Sequence, residues 1–257
     1  MSLAGAVKAT RSPRRSEETN ALREAGTIAG WTMLFWCGAQ LAGAWLERSE
    51  TMAVGVQAAI AEWCAGKVGI PWSDPNAPLP SARLVATRIG RGAVLGAGCG
   101  GLVVAVALAA HGATIARAQP AVGALVLGLL VAALSAVRDE LFLRGTILRM
   151  ARGLLPAWVA LLACGAGEAA ARFGTGDAGG LALLVDALRG IALGAVWTRD
   201  RGAWMACAAN ATWAWTLGSA TRGGVFDVRF AIEPEAGLPA LAVTAAAALA
   251  AAVWALR

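Results

Sequence analysis

Long apolar runs alternate with short polar connections along most of this chain. Four runs without an Asp, Glu, Lys or Arg extend over residues 25–46, 92–116, 118–137 and 237–256. Each is long enough to cross roughly 30 Å of hydrocarbon as an α-helix, which takes about 20 residues. Three further apolar segments, at 154–171, 181–198 and 202–219, contain isolated polar residues. The pattern predicts an all-α fold, a polytopic transmembrane helix bundle with about seven to eight membrane helices.

A shorter apolar piece at residues 52–61 lies within the long connection at 47–91. It is too short to span a bilayer comfortably. We predict either an interfacial or re-entrant helix, or one more tilted crossing in which Glu62 and Lys67 extend toward the interface. Residues 1–23 are predicted to form a polar N-terminal tail, and residues 24–257 a single transmembrane helical domain.

Composition supports an integral membrane protein. Hydrophobic residues make up 58% of the 257 residues and charged residues only 15%, and the mean hydropathy is +0.62. This is far more apolar than a soluble domain of the same length. The many alanines and glycines favour helices that pack closely in lipid.

The formal net charge of +6 is concentrated partly at the N-terminus. Basic residues there outnumber acidic ones: Lys8, Arg11, Arg14, Arg15 and Arg23 against Glu17, Glu18 and Glu24. By the positive-inside rule this predicts a cytoplasmic N-terminus. We interpret the excess as a topology signal and as contact with the anionic lipid bilayer, and we expect no nucleic-acid partner.

The segment Arg-Asp-Glu-Leu-Phe-Leu-Arg-Gly at residues 138–145 is the strongest indication of function. An unpaired buried carboxylate costs several kcal/mol or more, so acids within a membrane usually face a protein interior or a water-filled cavity. Glu140 and Arg144 are four residues apart, which on a helix lets the guanidinium hold the carboxylate. The pair is therefore a candidate functional site, although a plain salt bridge at a helix end would have the same spacing.

Asp139 and Glu140, followed by three residues and then Arg144 and Gly145, resemble the first motif of the CPBP family. This family of membrane peptidases includes the prenyl-protein (CAAX) endopeptidases and bacteriocin-processing enzymes. The resemblance covers roughly residues 120–220. The sequence differs at the family's two histidine positions, which are occupied here by Glu168 and Asn210. Ala214 stands where the second histidine motif has its asparagine.

The resemblance implies a membrane endopeptidase that cuts a membrane-associated, lipidated or C-terminally anchored protein near the bilayer surface. The sequence is similar to the myxosortase branch of the family, which is thought to trim C-terminal sorting tails. This resemblance implies that the protein lies in the bacterial cytoplasmic (inner) membrane. Carried over position by position, the motifs give the following candidate catalytic residues: Asp139, Glu140, Arg144, Glu168 and Asn210.

A mechanism without a cofactor or metal fits these residue types. Glu140 would deprotonate a water aimed at a peptide carbonyl. The amide of Asn210 would stabilise the tetrahedral oxyanion, and Glu168, if protonated by burial, would pass a proton to the leaving amine. A zinc site is a further option because Cys164 with Glu168, and Cys207 with Asn210, each share a helix face.

Other functions remain open on the sequence. Loss of both family histidines would also fit a catalytically inactive relative that binds a client as a membrane scaffold. A small transporter or channel would use Asp186, Arg189 and Glu168 as a polar path. Asp186 and Arg189 could equally form a structural ion pair, and Asn210 could link two helices by hydrogen bonding. His111, the single histidine, is predicted to be a polar residue at a helix end.

Overall fold

The computed structural model describes residues 13–46, 48–73, 80–116, 121–174, 179–222 and 225–257. Helices dominate the described residues: α1 (Pro13–Trp45), α2 (Glu50–Val68), α3 (Ala82–Ala109), α4 (Val122–Asp139), α5 (Thr146–Ala151), α6 (Ala157–Phe173), α7 (Gly180–Asp200), α8 (Trp204–Trp215) and α9 (Leu238–Leu256). Two π-helical turns, Glu140–Gly145 and Thr216–Ala220, and a short 3-10 helix, Pro234–Ala236, complete the helical part. The strands β1 (Ala113–Ala116) and β2 (Asp227–Phe230) pair in antiparallel fashion.

Four helical segments are long and apolar enough to cross a membrane. They are Ala82–Ala109, Val122–Ala151, Gly180–Asp200 and Leu238–Leu256. Large apolar side chains on the outer surface of the bundle are exposed, among them Leu41, Val94 and Val126. Such a surface is typical of helices that contact lipid rather than water. Four is fewer than the seven to eight membrane helices predicted from the sequence.

Contacts between helix ends show how the helices are oriented. The Arg88 Nε atom lies 3.1 Å from Asp200 Oδ1, which joins the start of α3 to the end of α7. The rings of Trp72 and Trp204, after α2 and at the start of α8, have centroids 4.6 Å apart. The guanidinium of Arg199 lies 5.4 Å from the ring of Trp254, so α7 and α9 end side by side. Arg149 of α5 also forms an ion pair with Glu24 of α1. These contacts bring the starts of α1, α3 and α8 and the ends of α2, α5, α7 and α9 to one end of the bundle, so consecutive segments run in alternating directions.

The two ends of the bundle differ in charge. One, which we call the basic end, carries Lys67, Arg83, Arg88, Arg91, Arg149, Arg152, Arg199, Arg201 and Arg257. Fewer acids with described side chains lie there: Glu24, Glu62 and Asp200. The opposite end, which we call the sheet end, carries β1, β2 and the 3-10 helix.

One local prediction differs from the structure. The predicted apolar segment 92–116 is not one helix, because α3 ends at Ala109 and residues 113–116 form β1. His111, with φ 56°, and Gly112 turn the chain there, and the β-branched Thr114 and Ile115 favour a strand. Helix α1 begins at Pro13 and so includes part of the predicted polar tail. Residues 1–12, with Lys8 and Arg11, lie outside the described residues.

The short piece at 52–61 belongs to a longer helix. Helix α2 has 19 residues, a length of about 28 Å at 1.5 Å per residue. It ends where Gly69 adopts a left-handed conformation, with φ 70°, and its backbone N–H donates to the carbonyl of Ala65. The charges of Glu62 and Lys67 in its last two turns hid this length from the hydropathy pattern.

Glycines let two helix pairs approach closely. A Cβ at Gly92 or Gly96 of α3 would overlap the backbone carbonyl of Met205 or Ala209 in α8. Between α6 and α7, a Cβ at Gly190 would lie 2.6 Å from the Cys164 carbonyl oxygen. Small residues serve this purpose in membrane helix bundles. The close approach of α6 to α7 brings the polar residues of both helices together.

Candidate functional site

The candidate site is built on an irregular turn of helix. Residues Glu140–Gly145 form a π-helical turn between α4 and α5, a feature that is frequent at functional sites. Gly145 allows this turn to pack, because a Cβ there would lie 2.7 Å from Ile70 Cγ2 and 3.1 Å from the indole of Trp197. The turn faces inward and buries both charged side chains of the motif.

Arg144 binds two carboxylates from different elements. Its Nη2 atom lies 2.9 Å from Oε1 of Glu140, which is the ion pair predicted from the spacing. Its Nη1 atom donates to Oε2 of Glu168 in α6 over 2.6 Å. The side chains of Arg144 and Glu140 are 0% exposed. A guanidinium can hold two carboxylates in this way because its N–H groups point in fixed directions.

The cluster continues toward the sheet end. Arg189 Nη2 lies 2.9 Å from Glu168 Oε1 and 2.9 Å from Asp186 Oδ1. Arg189 Nη1 lies 3.6 Å from Glu235 Oε1, and Arg172 Nη1 lies 3.4 Å from Glu235 Oε2. We call this set the charge ladder: Glu140, Arg144, Glu168, Arg189, Asp186, Arg172 and Glu235. The predicted ion pair between Asp186 and Arg189 is thus present, within a larger network.

Both carboxylate oxygens of Glu140 are buried without a hydrogen-bond partner among the described residues. Its Oε1 atom is, however, in ion-pair contact with Arg144. Buried polar groups nearly always have a hydrogen-bond partner, and an unpartnered buried acceptor usually has an explanation in ligand, water or catalysis. Glu140 therefore has acceptor capacity left for a donor such as water.

Asp139 points away from Glu140. Its Oδ1 accepts a hydrogen bond of 2.7 Å from Arg138 Nε, and Arg138 Nη1 donates to Gln57 Oε1 of α2 over 2.7 Å. Consecutive helical residues are about 100° apart around the axis, so neighbouring acids diverge. The two acids of the motif thus have different surroundings, and Asp139 holds Arg138, which ties the end of α4 to α2.

Asn210 lies in α8 and lines a cavity of about 500 Å³. The wall is formed by α3, α7, α8 and α9 and is almost entirely apolar. Its polar side chains include Arg189, Asn210 and Thr244. Asn210 is 6% exposed. Among the predicted site residues, Glu140 and Glu168 both contact Arg144 directly. Asn210 lies on the wall of a cavity that Arg189 also borders, and Arg189 contacts Glu168.

Two predicted roles fit the geometry poorly. Glu168 is held by the guanidiniums of Arg144 and Arg189, and such charge-assisted hydrogen bonds favour the carboxylate over the protonated acid. Glu168 is therefore better suited to holding Arg144 in position than to donating a proton. In the described part of the chain, no three His, Cys, Asp or Glu residues could together hold a metal ion. The zinc option with Cys164, Cys207 and Glu168 is wrong for these residues.

The sequence did not reveal that Arg189 and Glu235 belong to this cluster. Arg189 was considered as the ion-pair partner of Asp186 and in a polar path with Asp186 and Glu168, but not as part of the proposed peptidase site. Glu235 had no signal because it lies in the short 3-10 helix before α9, whose position depends on how α9 packs. Comparison of the chain with protein-family models, with curated proteins and with solved structures gives no match.

Proposed function

We propose that the protein is an intramembrane endopeptidase in which Glu140 activates the attacking water. The observation that carries the proposal is the fully buried carboxylate of Glu140, which lies 2.9 Å from Arg144 and accepts no hydrogen bond within the described residues. A buried base with free acceptor capacity and a cation beside it is suited to bind and polarise a water molecule. The substrate would be a membrane-associated or C-terminally anchored protein.

The proposed reaction uses few groups. Glu140 takes a proton from water as the oxygen attacks the peptide carbonyl carbon. Asn210, which is buried and borders the apolar cavity, would donate its amide N–H to the resulting oxyanion. Glu140 then returns the proton to the nitrogen as the C–N bond breaks. Glu168 holds Arg144, and Arg144 keeps Glu140 oriented.

The charge of Glu140 is expected to be essential for cleavage. In Glu140→Gln the shape is kept but the base is lost, so product formation should fall by about a hundredfold or more, the usual contribution of a general base. The measurement is mass spectrometry of new protein termini in membranes of cells that express either form. Glu62→Gln is the matched control, since it removes an exposed carboxylate from α2. Equal sets of new termini in wild type and Glu140→Gln would exclude this role.

One observation favours the alternative, a catalytically inactive membrane scaffold that binds a client. Glu140 and Arg144 are both completely enclosed, as a purely structural ion pair would be. The same experiment separates the two functions. A scaffold would leave the termini unchanged in every variant, while an affinity-tagged copy would still recover the client from membranes.

We further propose eight membrane crossings, with the basic end in the cytoplasm. Two observations support this count and orientation. The helical segments run in alternating directions, with α4 and α5 forming one segment, and arginines are concentrated at one end of the bundle. The excess of Lys and Arg on the cytoplasmic side is a general property of membrane proteins. In a bacterium the membrane would be the cytoplasmic (inner) membrane, and the charge ladder would lie between mid-bilayer and the external sheet end.

This topology predicts where reporter fusions are active. A fluorescent protein fused after Arg257 should be bright, and alkaline phosphatase at the same point inactive, because α9 ends at the basic end. Alkaline phosphatase fused after Ala116, at the sheet end, should be active. If alkaline phosphatase were active after Arg257 and inactive after Ala116, the proposed orientation would be wrong. If the same reporter were active at both points, the number of crossings between Ala116 and Arg257 would be even, and the proposed count would be wrong.

A further inference from the structure

The apolar cavity that Asn210 borders has its other polar groups at one end. Arg189 of α7, Trp213 of α8 and Thr244 of α9 all line it. On its own helix, each is the lining residue closest to the sheet end or, for Thr244, next to it. Toward the basic end the lining continues as far as Trp254 and includes no charged residue. The cavity is therefore polar at one end and apolar along the rest of its length.

Two N–H groups at this polar end have no acceptor. The Nε1 atom of Trp213 and the Nε atom of Arg189 are buried and make no hydrogen bond with any residue that the structure describes. Trp213 as a whole is only 5% exposed. Buried donors nearly always have a partner in protein, water or ligand. Two such donors at the end of one cavity call for an acceptor oxygen inside it.

The charges around Arg189 favour an acceptor without net charge. Three carboxylates already contact this guanidinium. Its Nη2 atom lies 2.9 Å from Glu168 Oε1 and 2.9 Å from Asp186 Oδ1, and its Nη1 atom lies 3.6 Å from Glu235 Oε1. A further anion would lie close to these carboxylates in surroundings of low polarity, where like charges repel strongly. A carbonyl oxygen accepts hydrogen bonds without adding charge, so it suits this end better than a carboxylate or a phosphate.

The size of the cavity suits one hydrocarbon chain. The lining of α9 from Thr244 to Trp254 is about 15 Å long at 1.5 Å per residue. A helix with its side chains is about 10–12 Å wide and would occupy about 1,200–1,700 Å³ over that length, more than twice the cavity volume of about 500 Å³. An extended peptide would bring an N–H and a C=O group with each residue, and the apolar wall offers few partners for them. A hydrocarbon chain brings no such groups.

The cavity opens sideways toward the lipid. Leu95 and Leu102 of α3 and Trp254 of α9 line it and are also exposed on the outer surface of the bundle. A molecule dissolved in the bilayer can therefore enter between α3 and α9. Mainly apolar cavities of this volume with a few placed polar groups are the usual form of small-molecule sites.

We propose that this cavity binds a free membrane lipid with a single hydrocarbon chain and an uncharged carbonyl head, an acyl ester. The carbonyl oxygen accepts a hydrogen bond from Trp213 Nε1, with Arg189 Nε as the second donor at that end. The chain extends along α9 toward Trp254. The proposal uses neither Glu140 nor peptide cleavage, so its failure would leave the proposed function untouched.

The test uses the full chain in nonionic detergent and a photoreactive probe, methyl laurate with a diazirine at the end of its chain. After irradiation, mass spectrometry of peptides should find the label on α9 near Trp254 or on the facing part of α3. Unlabelled methyl laurate should compete with a low concentration of probe at least about tenfold better than laurate, because the charged head of laurate is repelled by the carboxylates around Arg189. Equal competition by the two would overturn the uncharged head.

The hydrogen bond to the carbonyl is tested by Trp213→Phe, which keeps an aromatic ring but removes the N–H group. The concentration of methyl laurate that halves the labelling should rise about fivefold, the usual contribution of one hydrogen bond. Competition by dodecane, which has no acceptor, should change by less than about twofold. Trp158→Phe, at an exposed position outside the cavity, is the matched control and should change neither value. If Trp213→Phe leaves competition by methyl laurate unchanged, the acyl ester is the wrong ligand.

The position of the chain is tested by Ala247→Phe, which places a ring in the cavity from α9. Labelling should fall at least about tenfold, because the ring takes the space of the chain. Ala245→Phe is the matched control, since Ala245 is exposed on the same helix and does not line the cavity. Equal labelling of these two variants would show that the probe binds on the outer surface of the bundle and would overturn the site.

Discussion

Replacing Arg144 by methionine is expected to destabilise the protein by about 3–5 kcal/mol, the usual cost of leaving a buried charge without its partner. The substitution keeps much of the side-chain volume but removes the cation between Glu140 and Glu168. Glu168 retains Arg189, whereas Glu140 loses its single ion-pair partner among the described residues. The measurement is the unfolding free energy in mixed micelles, followed by tryptophan fluorescence.

A second substitution separates electrostatics from packing. In Arg144→Met, Glu140→Gln the stranded charge is gone, so a substantial part of the lost stability should return. Arg152→Met is the control, since Arg152 is exposed and its loss should change the unfolding free energy by less than about 0.5 kcal/mol. If the double variant is no more stable than Arg144→Met, the charge of Glu140 is not the source of the destabilisation.

Gly96→Ala is expected to destabilise the bundle by about 3 kcal/mol, at the upper end of what overpacking a core usually costs. A Cβ there would overlap the backbone carbonyl oxygen of Ala209 and the hydroxyl of Thr212, so α3 and α8 would have to separate. The backbone oxygen cannot move aside as the end of a flexible side chain can. Thermal unfolding of the purified protein in detergent would measure the effect.

Gly98→Ala is the matched control two residues along the same helix. A Cβ at Gly98 meets no heavy atom within 4 Å, so this variant should be as stable as wild type or slightly more stable, because alanine favours a helix. Similar melting temperatures for Gly96→Ala and Gly98→Ala would show that α3 and α8 do not pack as closely as the structure indicates.

The helices were predictable where the apolar pattern was long and clean. The run at 237–256 corresponds to α9, Leu238–Leu256, and the run at 118–137 to α4, Val122–Asp139. Both follow from the need to satisfy backbone hydrogen bonds locally in apolar surroundings. The pattern was less informative at α2, where charged residues share the helix, and at β1, where an apolar run turns into a strand.

The candidate site was predictable only in its local part. The contact of Glu140 with Arg144 follows from a spacing of four residues within one helical segment. The contact of Arg144 with Glu168 joins residues 24 positions apart on different helices. No local rule specifies which of several acids faces a given arginine across a bundle. The proton-donor role considered for Glu168 depended on surroundings that the sequence did not contain.

The amino-acid sequence by itself determined that this chain forms apolar helices suited to a bilayer. It also determined that one helical segment carries the ion pair of Glu140 with Arg144. Both features depend on residues that are neighbours along the same helix. The tertiary structure decided the rest. Close packing of α6 on α7 at Gly190 joined Glu168 to Arg144 and Arg189, while Asn210 came to line an apolar cavity instead of contacting Glu168 directly. These outcomes depend on how closely separate helices approach, which small residues permit but do not encode in any one segment.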